Sequence, residues 1–78
     1  MNAEELYAII CKLPRENFAD YGIMVPFNKI YTFLDSKNKN SVNPAIVESD
    51  LENLQKCFPD KIKLILDNDM IQGVQFLN

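Results

Sequence analysis

PAIVESDLENLQKCFPDKIKLILDNDMIQGVQFLN, residues 44–78, is the stretch on which the fold turns. Val47, Leu51, Leu54 and Phe58 recur at i, i+4, i+7 and i+11, the spacing of one apolar helix face. Asn43 and Pro44 read as a helix start, and Pro59 as its stop. Ser49-Asp50-Leu51-Glu52 also fits a capping box, so a start at Ser49 stays open. From Lys61 the period changes to two. Ile62, Leu64 and Leu66 share one face, and Lys61 and Lys63 the other. Asp67-Asn68-Asp69 reads as a turn. Met70 to Leu77 returns as a second strand, with Val74 and Phe76 facing inward. Gly73 within it predicts a bulge or a close backbone approach.

Upstream, Asp35 to Ser41 is a polar, asparagine-rich segment that reads as a solvated connector. Before it, Phe27, Ile30, Tyr31 and Leu34 line one face of a helix opened by Pro26. The competing reading is a strand through Ile30–Leu34, which is rich in β-formers. Ile23-Met24-Val25 reads as a short strand that pairs with the terminal hairpin, and Arg15–Tyr21 as a loop. At the start, Asn2 caps a helix over Ala3–Lys12, Glu5 sits where a capping box needs it, and Pro14 ends it. Leu6, Ile9, Ile10 and Leu13 supply its apolar face. The succession is that of a winged helix: fold class α+β, three helices followed by a C-terminal β-hairpin, in a single domain over residues 1–78. Its predicted core is Leu6, Ile10, Ile30, Leu34, Val47, Leu51, Leu54, Ile62, Leu64, Val74 and Phe76.

Composition supports a small globular domain: 47% of residues are hydrophobic, enough to fill one core. No run approaches the roughly 20 apolar residues of a membrane span. Met1 to Glu5 lacks the charge and apolar run of a signal peptide, which points to a cytoplasmic protein. The chain has no histidine, the commonest general base, and only two glycines, too few for a phosphate-cradling loop. No catalytic residues, cofactor or metal site are therefore expected. Cys11 and Cys57 read as small core or near-core hydrophobes rather than a disulfide or zinc pair. Asp67 and Asp69 lack the ligand count of a calcium loop.

Binding remains. The net charge is −3, with eight basic against eleven acidic residues. DNA affinity comes largely from cations on phosphates. The helix in the recognition position carries Glu48, Asp50 and Glu52 against Lys56, and the hairpin tip is acidic. These charges favour a protein partner, and Glu48, Asp50, Glu52 and Lys56 form the candidate partner-binding set. The alternative is a small DNA-binding regulator of phage, plasmid or viral type, using Lys37, Lys39, Lys61 and Lys63. A nucleic-acid mimic would need denser acids than this chain carries.

The arrangement resembles the C-terminal winged helix of the smallest subunit of the endosomal sorting complex ESCRT-II. That family has an apolar "LYEL"-like segment and a terminal "GVKFF". The matching pieces here are residues 30–35, Val47 to Phe58, Lys61 to Leu66, and Gly73-Val74-Gln75-Phe76-Leu77. The resemblance implies a non-enzymatic adaptor that engages an amphipathic helix of an ESCRT-III subunit. The family's preceding winged helix and proline-rich arms have no counterpart in this sequence.

Overall fold

The structure, a computed structural model, describes residues 2–37 and 42–77. Helix α1 (Ala3–Lys12) opens with the Asn2 side chain accepting the Glu5 backbone N–H at 2.8 Å, as the capping pattern predicts. Strands β1 (Glu16–Phe18) and β2 (Gly22–Pro26) follow, then α2 (Phe27–Lys37), α3 (Pro44–Cys57), β3 (Ile62–Asp67) and β4 (Met70–Phe76). The class is α+β, with an antiparallel sheet in the order β1-β2-β4-β3. None of the described helices is long and apolar enough to cross a membrane.

The order of elements and two boundaries differ from the sequence reading. The helices do not all precede the strands, because a first hairpin, β1–β2, lies between α1 and α2. Its strand Glu16–Phe18 falls in the predicted loop Arg15–Tyr21. Three polar or edge residues carry no period to read, and the ladder Glu16 to Met24, Asn17 to Ile23 and Phe18 to Gly22 defines them instead. Helix α2 also continues through Asp35, Ser36 and Lys37 of the predicted connector. There the Asp35 carboxylate accepts the Val42 N–H at 3.2 Å and Tyr31 donates to the Val42 carbonyl at 3.1 Å. These two bonds tie Val42 to α2; residues 38–41, Lys39 included, lie outside the described residues. Helix α3 starts at Pro44 with Asn43 capping Ala45, so Ser49 is interior.

The core forms where α1, α2 and α3 cover one face of the sheet. Every predicted core residue is buried except Phe76, which is half-buried against the cluster. Val25 and Ile71 join them; Met24 is also buried, but outside this cluster, with its sulfur beside Gly73. Ile71 is buried because of a bulge: Ile65 pairs with Gly73 but Leu66 pairs with Ile71, leaving Gln72 unmatched. The extra residue reverses the in–out alternation, which would otherwise turn Ile71 outward. The cysteines correct the sequence reading, since both are free and exposed. At about 100° per residue, each lies roughly a quarter-turn or more off its helix's buried stripe.

The β3–β4 turn is two residues, Asn68 and Asp69, with φ of 53° and 64°. This left-handed pair matches the twist of a tight hairpin, and its favoured second residue is glycine. Asp69→Gly should therefore raise the urea midpoint, adding about 0.5–1 kcal/mol by removing left-handed strain. An unchanged midpoint would mean that the aspartate is not strained there.

Candidate functional site

Helix α3 presents three surfaces. Val47, Leu51 and Leu54 are buried in the core. The 100° step then separates the acids. Glu48 and Glu52 share the flank that also bears Gln55 and Lys56. Asp50 projects from the opposite flank, with Ile46 and Asn53. The predicted set Glu48, Asp50, Glu52 and Lys56 is thus divided: three on one side, one on the other.

The flank with Glu52, Gln55 and Lys56 forms one wall of a groove of about 560 Å³. Pro59 closes one end, and Leu64 and Leu66 of β3 form the other wall. Leu66 keeps the face that alternation assigns to it, across from Ile71. It is nevertheless 57% exposed, because α3 sets only the side chains of Glu52, Gln55 and Lys56 along this edge. Leu64 beside it is nearly closed off, at 7%. The groove is therefore apolar along β3 and polar along α3.

Gln55 links the two walls. Its side-chain oxygen accepts the backbone N–H of Leu64 at 3.2 Å. That N–H therefore points away from β4, and the alternation of an antiparallel ladder turns the N–H and C=O of Ile62 and Leu66 the same way. Ile62 N–H is taken by the Phe58 carbonyl at 3.2 Å. Leu66 N–H has no partner among the described residues. Sequence reasoning named Glu52 and Lys56 but missed Gln55, Pro59 and the open edge. A half-exposed glutamine on the flank facing an edge strand is the signal that could have pointed there.

The hairpin tip is braced from the outer face. Tyr21 donates from its hydroxyl to the Asp67 carboxylate at 2.7 Å. Gln75 donates to the carbonyls of Tyr21 at 3.0 Å and Ile23 at 3.3 Å. The Tyr21 phenol is held above its ordinary value, first by its bond to Asp67, then by desolvation and the charges of Asp67 and Asp20. The two hairpins are thereby joined beyond their short shared ladder, so β3 presents its edge from a fixed position.

The described lysines of the DNA alternative, Lys37, Lys61 and Lys63, are dispersed in their engagements. Lys61 lies 5.9 Å over the Tyr7 ring, in an aromatic group where Tyr7 stacks on Phe58 at 5.0 Å. Arg15 covers Phe76 of the same group at 4.1 Å. Lys63 is exposed on the outer face of β3, opposite Leu64 and Leu66. Lys37 ends α2, 6.0 Å over Phe33. Lys37 thus belongs to a different element from Lys61 and Lys63. Comparison with protein-family models, curated proteins and solved structures finds no match for this chain.

Proposed function

We propose that this chain is a winged-helix protein-interaction module, a non-enzymatic adaptor that takes a segment of a partner protein along α3 and β3. The topology supports the fold part of this reading: β2 pairs with β4 of the terminal hairpin, and α2 and α3 lie between them in sequence. β1 is an addition to that plan. The observation that carries the function is the α3–β3 groove. It exposes Leu66 on its β3 wall and carries Glu52 on the facing helix, with Glu48 one turn back on the same flank; this is the helix that a DNA-binding relative would set against phosphates. Carboxylates on that surface oppose a polyanion and favour a partner segment that is apolar with basic residues. The amphipathic helix implied by the ESCRT-II resemblance is one such segment.

Two anisotropy titrations at low salt test the reading, one with a labelled random DNA duplex and one with a labelled leucine-rich peptide flanked by lysines. Saturable peptide binding is expected, weakened several-fold by Glu48→Lys with Glu52→Lys, and no DNA binding at tens of micromolar protein. DNA binding that falls steeply with added salt, with no peptide binding, would place the regulator reading first.

A further inference from the structure

We infer that the occupant of the α3–β3 groove is an extended segment of a partner protein, added as a fifth strand antiparallel to β3. The inference rests on the adaptor reading and specifies its ligand.

The backbone argues for a strand. β3 is an edge of the sheet, and its outward groups alternate at Ile62, Leu64 and Leu66. The first is closed by Phe58. The second is closed only by a side chain: Gln55 offers Leu64 the amide oxygen that a neighbouring strand would offer from its backbone. The third is open. An edge of unpaired backbone groups is a template for another chain. A docked helix has satisfied its own backbone and would leave Leu66 N–H unpaired. An extended segment pairs with Leu66, replaces Gln55 at Leu64, and sends alternate side chains into the groove over Leu64, Leu66 and Pro59.

Charge orders the segment. Chain connectivity places Lys56 and Pro59 near the turn into β3, and Glu52 one helical turn further back. Leu66 leads directly to Asp67 and Asp69 at the hairpin tip. An antiparallel strand enters at the tip and leaves at the turn. Its N-terminal end therefore meets Glu52, Asp67 and Asp69, and its C-terminal end meets Lys56 and Lys63. The fitting segment has lysine or arginine first, apolar residues at alternate positions next, and a carboxylate last.

The probe is a synthetic peptide, Lys-Lys-Leu-Thr-Val-Thr-Leu-Glu, titrated into ¹⁵N-labelled protein. A copy N-methylated on the amides that would face β3 and a lysine-flanked amphipathic helical peptide run beside it. The expected result is a downfield shift of the Leu66 amide, movement of the Gln55 side-chain NH₂, and loss of binding on N-methylation. Gln55→Ala removes the competing acceptor and should tighten binding about threefold to tenfold, the size of one net hydrogen bond. Leu66→Pro should abolish binding without unfolding the sheet, because proline is tolerated where an edge N–H faces solvent. Leu66→Ala keeps that N–H and should only weaken binding.

Binding that ignores N-methylation, or that is confined to the helical peptide, would overturn the strand and leave the adaptor standing. Binding by none of the peptides would overturn both. A Leu66 amide shift that follows protein concentration without peptide would name a second copy of this chain as the occupant and overturn a foreign partner.

Discussion

Leu54→Ala lowers the unfolding free energy by about 2–5 kcal/mol, toward the upper part of that range. Leu54 is fully enclosed, on the helix that packs against both α1 and β3. Removing its terminal carbons loses their transfer energy and leaves a cavity that three elements would have to move together to fill. A domain of this length holds roughly 4–12 kcal/mol in total, so this one substitution takes a large share of it. Ile46→Ala on the same helix serves as the control. That side chain is 57% exposed, and its loss should change stability by no more than about 0.5 kcal/mol. Urea melts of the two variants, analysed at a common slope, give the comparison. A Leu54→Ala shift well under about 1 kcal/mol would mean that the core closes over the gap.

Leu54 was legible because a helix face repeats. The i, i+4, i+7 spacing that marks it also marks Val47 and Leu51, and all three are buried. Caps were legible for a related reason: Asn2 and Asn43 act on backbone within three residues of themselves. What the sequence hid depends on partners distant in the chain. Strict alternation back from Val74 puts Gln72 inside and Ile71 outside, and only the pairing with Leu66 reveals the bulge that reverses them. Strand β1 has no apolar rhythm and exists through its ladder to β2.

The candidate site divides the same way. Glu48, Glu52 and Lys56 can be placed on one flank by counting residues, and so can the separation of Asp50. The groove itself requires knowing that β3 is an edge strand. That follows from β4 taking the central position between β2 and β3, a choice made by tertiary pairing. The exposure of Leu66 has the same origin. Its alternation is legible in the sequence, but alternation assigns a face and not a cover.

Gly73→Ala destabilises the protein by about 3 kcal/mol, the upper end of the usual cost of overpacking. A β-carbon there would lie 2.6 Å from the Val25 carbonyl oxygen, 2.7 Å from the Met24 sulfur and 3.1 Å from the Pro26 α-carbon. The thioether can swing aside, but the two backbone atoms cannot move unless β2 and β4 separate. Those strands meet at two residue pairs, Val25 with Val74 and Pro26 with Gly73, so the new carbon is forced into the seam that joins the hairpins. Gly22→Ala provides a contrast in mechanism. Gly22 has φ of +83°, while its added carbon would meet nothing closer than Gln75 Nε2 at 3.5 Å, an ordinary contact. Its cost should be conformational alone, about 1–2 kcal/mol. A double-mutant cycle of Gly73→Ala with Met24→Ala, read against Met24→Ala alone because truncating that buried side chain has a cost of its own, decides which contact matters. If backbone crowding dominates, the double variant recovers little of the loss. Full recovery would assign the clash to the Met24 thioether and make the close approach of β2 and β4 incidental.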